Sequence, residues 1–182
     1  LVWQDFMFAC SMYPWDRLFM KNVEQEVAEQ VQRLRGFPCL ALWCGNNEID
    51  EGWHNWGWIK QVDTIPHAAD SIWNGYRNLF NKLLPSIVSC LDPERFYWPS
   101  SPQFGWGRKE SLLYGDSHYW GVWWGQKPFS TYKNKIPRFM SEYGFQGLPD
   151  ARTVRSFSKD VSVSPDSLEL LCHQKHPVGY QT

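Results

Sequence analysis

The sequence has no apolar run approaching the roughly 18 residues that a membrane-spanning helix needs. Neither sign of charge is in excess, since 18 lysines and arginines stand against 19 aspartates and glutamates. With no basic run either, the electrostatic footprint of a nucleic-acid binder is missing. There is no C-x-x-C pair. The five cysteines (Cys10, Cys39, Cys44, Cys90 and Cys172) are scattered and odd in number. That pattern argues against a disulfide framework or a structural zinc site and predicts buried thiols. Internal repeats and low-complexity tracts are absent. The opening Leu1-Val2-Trp3-Gln4-Asp5 carries no initiator Met, basic leader or cleavage-site pattern, so the chain reads as an internal segment.

What the sequence does have is aromatic side chains, 17% of its 182 residues, including twelve tryptophans. A core of this size needs far fewer. Trp53, Trp56, Trp58, Trp106, Trp120, Trp123 and Trp124 sit near Gly, Asn or His in segments that read as loops. An aromatic face in a polar setting suits stacking on the C–H face of a sugar. Packing within the fold accounts for such residues equally well one at a time.

The hydrophobic pattern alternates between short apolar runs and helical stripes. Leu1–Trp3 is a β-prone run that turns polar at Gln4 and Asp5. Val23, Val27, Val31 and Leu34 mark one face of a helix over residues 16–35, stopped by Gly36 and Pro38. Cys39–Trp43 is continuously apolar, as strands buried on both faces of a parallel sheet are. A second helical stripe covers residues 71–91, with Pro85 expected to divide it. Further strands are predicted at Arg95–Trp98, Gly115–Trp120 and Pro137–Met140, the first two separated by a Gly- and aromatic-rich loop over 103–115. Strands alternating with helices predict a parallel α/β architecture. A whole (β/α)8 barrel needs eight strands and about 250 residues, so these 182 residues could supply only part of one.

In such a fold, functional groups gather where strands end. The predicted strands run into Asp5, into Asn46, Asn47 and Glu48, into Ser100 and Ser101, into His118, and into Glu142. Glu48 and Glu142 are too far apart for one helix or hairpin, yet each follows an apolar stretch. Two carboxyl groups in one cleft are what glycoside hydrolysis requires, one to donate a proton and one to attack or to activate water. A glutamate after a strand is ordinarily just solvated, but Trp43-Cys44-Gly45-Asn46-Asn47-Glu48 is an unusual string for a plain surface. Asn47 can donate to a substrate hydroxyl, and Gly45 permits a sharp turn. Burial behind the apolar strand would help Glu48 keep a proton. His118, Tyr119 and Trp120 are candidates to orient Glu142 or touch substrate, and Trp56 is a candidate sugar platform. His173-x-x-His176 has metal-ligand spacing but lacks a third donor, and reads as loop histidines or sugar contacts.

Asn47-Glu48 after a strand, with Ser141-Glu142-Tyr143-Gly144 downstream, resembles glycoside hydrolase family 2 and its wider clan. The longer strings Val2–Cys10, Trp43–Glu48 and Ser141–Gln146 resemble the β-mannosidases of that family, as does the stretch 170–179. The resemblance implies that residues 1–182 are part of a (β/α)8 TIM-barrel catalytic domain, about strands 3 to 7. Glu48 would be the acid/base on strand four and Glu142 the nucleophile on strand seven. The other barrel strands and the β-sandwich domains would be supplied by the parent chain. The implied activity is retaining exo-hydrolysis of terminal non-reducing β-D-mannose from β-mannoside oligosaccharides, with Asp5, Asn46 and Asn47 among the substrate contacts and with neither cofactor nor metal. The same features admit another family 2 β-glycosidase, of β-galactosidase or β-glucuronidase type, or a truncated fragment without catalysis. By family, the compartment would be lysosomal in an animal and periplasmic or secreted in a bacterium.

Overall fold

The computed structural model describes residues 1–158, 164 and 167–177. It divides into two compact units, Leu1–His118 with Ile136–Ser141, and Tyr119–Lys135 with the residues from Glu142 onward.

The first unit begins with β1 (Val2–Asp5), α1 (Arg17–Leu34) and β2 (Leu40–Cys44). The stripe predicted for α1 is buried as expected, with Val23, Val27 and Val31 at its centre. Its start is set one residue before the helix, where the Asp16 carboxylate accepts from the Leu18 and Phe19 N–H groups. Two short helices, α2 (Ile49–Asn55) and α3 (Trp58–Val62), follow β2. Their periodicity is too short to stand out in the sequence. They place Trp53 and Trp58 on helices rather than loops, with Trp53 buried.

The long helical stripe is divided, as predicted, into α4 (Ala68–Asn78) and α5 (Leu84–Leu91), joined by a π-helical segment over Leu79–Leu83. Pro85 offers no N–H and its ring crowds the preceding turn. The ladder widens there, and the Leu84 N–H reaches the carbonyl of Leu79. β3 (Phe96–Trp98) completes a parallel sheet of order β1-β2-β3, with Asp5 opposite Cys44 and Cys44 opposite Trp98. Phe6, Phe8, Trp43, Tyr76, Leu79, Phe80, Leu84 and Val88 join the α1 valines in one core. Trp43 is fully buried, but Ala41 in the middle of β2 is exposed, so the strand is not covered on both faces as the apolar run suggested. The cysteines are a second correction. Cys44 alone is buried, and the other four are exposed because they lie on helix faces and strand approaches outside the core.

β4 (Ser117–Tyr119) pairs with β5 (Met140–Tyr143). A 3-10 turn over Lys109–Leu112 interrupts the predicted loop before β4. β5 begins three residues later than its apolar stretch and contains Glu142 rather than ending before it. His118 likewise lies inside β4. The backbone ladder tolerates these polar side chains because they have partners of their own.

In the second unit, the Tyr132 hydroxyl donates to the carbonyl of Gly144 at 3.1 Å, and the Tyr132 ring meets those of Tyr119 and Tyr143. The unit also contains α6 (Ala151–Phe157) and α7 (Leu168–His173). The two histidines of the metal-like spacing are held apart in role. His173 is exposed on α7 against Phe157, whereas His176 is buried between Trp123 and Trp124, with ring centroids 4.0 and 4.1 Å away. Residues 178–179 of the stretch that resembles β-mannosidases lie outside the described residues.

Candidate active site

Beyond the ends of β1, β2 and β3, the backbone continues in a second tier. Asn47 bridges Ala9 on one side and Ser101 on the other, both in parallel sense. The Asn47 N–H donates to the Phe8 carbonyl at 2.8 Å, the Cys10 N–H to the Asn47 carbonyl at 2.9 Å, and the Glu48 N–H to the Ser101 carbonyl at 2.8 Å. This tier brings Cys10, Asn47, Glu48 and Ser101 together at the carboxyl ends of the strands, where parallel sheets carry their ligands.

Gly45 is needed here for a different reason than a sharp turn. A Cβ would lie 2.4 Å from both the Pro99 carbonyl oxygen and the Tyr97 hydroxyl, so the requirement is close approach of β3. The turn itself is made by Glu48, which adopts φ 59°, ψ 15° as the N-cap of α2. A left-handed conformation in a residue with a Cβ costs about 1–2 kcal/mol. It is held by the hydrogen bond to Ser101 and by the Gly52 N–H, which donates to the Glu48 carbonyl at 2.8 Å. Strain retained at a carboxylate in this way is characteristic of functional positions.

The Glu48 side chain is 12% exposed. Its Oε1 lies 2.9 Å from His118 Nδ1, and its Oε2 lies 3.5 Å from Cys10 Sγ. Behind it is a buried acid that sequence reading passed over. Asp116 is 2% exposed. It accepts from Trp98 Nε1 at 2.9 Å and from the hydroxyls of Ser101 and Ser141, both at 2.6 Å. Ser101 Oγ also lies 2.9 Å from His118 Nε2. A signal for Asp116 existed, because residues two apart on a strand share a face, and His118 had been singled out.

The remaining predicted residues divide. Asn47 is half-buried with its amide 3.7 Å from Cys10 Sγ, beside Glu48. Asn46 is fully buried, and its amide is committed to the scaffold. Nδ2 donates to the Pro99 carbonyl at 2.9 Å, while Oδ1 accepts from the Ile49 N–H at 3.1 Å and from Ser100 Oγ at 2.8 Å. Asn46 therefore holds the turn before α2. Asp5, at the end of β1, accepts from Trp3 Nε1 at 2.8 Å. Burial holds its carboxyl above the usual range, against hydrogen bonds from Cys44 and Trp3. Burial also pushes the Cys44 thiol up. Two acids of α2, Glu51 and Asp50, are raised by burial as well, Glu51 while accepting from Asn55 at 2.7 Å. Trp56 closes α2 with its ring 42% exposed and edge-on to Trp58, accessible for stacking.

Glu142 is half-buried in β5, following Ser141 in the chain. In the same unit Tyr119 is buried, with Lys135 Nζ 5.4 Å above its ring, and Trp120 is half-buried. His118 has Glu48 Oε1 at Nδ1 and Ser101 Oγ at Nε2, each 2.9 Å away.

Chemically, the first unit offers a carboxyl group gripped by an imidazole, with a second, buried carboxylate behind the imidazole. That arrangement can hold a proton and take it back. No helix among the described residues is long and apolar enough to cross a membrane.

No protein-family model matches the chain. It is 36% identical over 180 residues to Beta-mannosidase B of Aspergillus niger, a match covering 96% of this chain and 21% of that one. It is 35% identical over 191 residues to the Beta-mannosidase of Bos taurus, covering 98% and 21%. Among solved structures, a Beta-D-Mannosidase from Dictyoglomus thermophilum matches with a TM-score of 0.74 and 38% identity, over 88% of this chain and 18% of that chain. The chain is thus similar to β-mannosidases over nearly its whole length, and spans about a fifth of the length of the curated relatives it matches.

Proposed function

We propose that the chain is the part of a retaining exo-β-mannosidase that carries both catalytic carboxyl groups, and that it forms about strands 3 to 7 of a (β/α)8 barrel completed by the rest of the protein. The observation that carries this reading is the similarity to β-mannosidases from fungus, mammal and bacterium across nearly the whole chain. The parallel β1-β2-β3 sheet and the polar tier beyond it suit the carboxyl-terminal rim of a barrel.

In this reading Glu142 attacks the anomeric carbon of a terminal β-D-mannosyl residue, while Glu48 gives its proton to the departing oxygen. Ionised Glu48 then takes a proton from water, and the water oxygen displaces Glu142 to release mannose. Asn47 and Asp5 contact sugar hydroxyls, and Trp56 and Trp120 offer stacking faces. The test is nitrophenol release by the full-length protein from matched 4-nitrophenyl β-mannoside, β-galactoside and β-glucuronide. Preference for the mannoside supports the reading. A preference for either other glycoside assigns the chain to that activity instead.

A further inference from the structure

We propose that Asp116 and Ser101 act as positioning residues that fix the proton of His118 on Nε2, so that one transferable proton is held at the contact between His118 Nδ1 and Glu48 Oε1. This rests on the reading of Glu48 as acid/base and adds the device that keeps it supplied.

The argument is a count of protons. The Trp98 indole N–H can only donate, so Asp116 Oδ1 is an acceptor. Both hydroxyl contacts to Asp116 Oδ2 are 2.6 Å, with each serine hydroxyl donating and the carboxyl oxygen accepting. Ser101 has a single hydroxyl proton, and it is directed at Asp116. Toward His118 Nε2, 2.9 Å away, Ser101 Oγ then presents only lone pairs, so Nε2 must carry a hydrogen. Asp116 Oδ2, 3.7 Å from Nε2, favours the same arrangement electrostatically.

With its hydrogen on Nε2, a neutral imidazole has a bare Nδ1. A bare nitrogen facing an ionised carboxylate oxygen at 2.9 Å would be repulsive. A proton therefore belongs on that contact, bonded either to Glu48 Oε1 or to Nδ1. When the glycosidic oxygen departs, it gains this proton as the C–O bond breaks, and Glu48 is left ionised against a lone pair. That repulsion drives Glu48 to recover a proton from the attacking water in the second step. One fixed tautomer thus serves both halves of the cycle.

Groups from several elements face this contact. Cys10 faces Glu48 from the segment after β1, and Asp5 at the end of β1 is felt by His118 and Asp116. Glu51 on α2 interacts with Glu48 and His118, and Asp50 lies beside it in the helix. β5 contributes the Ser141 hydroxyl and carries Glu142 next in sequence.

The test uses the full-length enzyme. In Ser101→Ala, His118 is free to carry its hydrogen on Nδ1 and donate to ionised Glu48. The alkaline limb of kcat/KM for an unactivated β-mannobioside should move down by about one pH unit, the effect of one hydrogen bond to a charged group. At pH 7 that substrate should lose about tenfold, while a 2,4-dinitrophenyl mannoside, which needs little protonation, loses far less. Ser101→Thr should restore the limb. A uniform loss on both substrates with an unmoved limb would make Ser101 merely structural and overturn the proposal. Neutron diffraction of the unmutated enzyme gives an answer independent of folding and rate: deuterium on His118 Nε2 supports the proposal, and a bare Nε2 overturns it. The underlying reading fails separately, if Glu48→Gln still hydrolyses the disaccharide at the native rate.

Discussion

Replacing Asn46 separates two roles that the sequence could not distinguish. Its side chain is fully buried and serves three groups: the Pro99 carbonyl, the Ile49 N–H and the Ser100 hydroxyl. Asn46→Ala leaves all three without that partner at a fully buried position. At about 1–3 kcal/mol for each stranded group, partly relieved by relaxation, the loss should be about 3–6 kcal/mol. Ile49 opens α2 and Glu48 is its N-cap, so the same change should disturb Glu48 and lower kcat. The assay is urea unfolding of the full-length protein followed by tryptophan fluorescence, with kinetics on a β-mannoside alongside. A residue that mainly touches sugar would instead raise KM at unchanged stability. A stability change under about 0.5 kcal/mol, the range of ordinary surface substitutions, would refute the scaffold role.

Further outcomes are expected at the two glutamates, at Trp56 and at Glu51. Glu142→Ala should abolish turnover of every mannoside. Glu48→Ala should lose natural disaccharides by about 100- to 10,000-fold yet keep part of the first step on activated aryl mannosides, with azide giving the β-mannosyl azide; the reverse pattern would exchange the two roles. In a crystal structure of the full-length enzyme the Glu48 and Glu142 carboxyl groups should lie about 5 Å apart, and a spacing near 9 Å would exclude double displacement. Trp56→Ala should raise KM for mannosides with stability unchanged, because the ring is exposed, and unaltered kinetics would make it a packing residue. Burial raises the Glu51 carboxyl, so its ionised form opposes folding: the stabilising contribution is complete below the unfolded carboxylate range and is lost as pH rises through the folded value. Glu51→Gln should therefore be at least as stable as the unaltered protein at pH 7, with its advantage fading on acidification in thermal melts.

The elements that the sequence made legible are those whose pattern repeats. Val23, Val27 and Val31 form a stripe that only a helix can bury together, and α1 falls within a residue of its predicted bounds. Pro85 has one physical consequence in a helix, and the π-helical segment before α5 is that consequence. All five strands lie where apolar runs placed them, but β5 is displaced toward its polar end. Hydropathy locates side chains that leave water, whereas a ladder is made by the backbone. Ser141 can remain in the ladder because Asp116 accepts its hydroxyl, a partner 25 positions away in sequence.

The site was legible in its protruding parts and hidden in its support. Glu48 stands out as a candidate because Trp43-Cys44-Gly45-Asn46-Asn47-Glu48 is an unusual string for a plain surface, but nothing in Asn46-Asn47-Glu48 announces which residue takes the left-handed conformation. Glycine is the usual choice, and here Gly45 is spent on close approach to Pro99 and Tyr97. The strand alternation that places Asp116 on the face of His118 does not announce that its carboxyl group is buried. It becomes understandable only when Trp98 and Ser101 from one segment and Ser141 from another each direct a donor toward it. The same long-range assembly changes what His118 means. As a residue in a strand it could orient any neighbour, but with Ser101 on one nitrogen and Glu48 on the other, the placement of a single hydrogen determines whether the carboxyl group beside it can act as an acid.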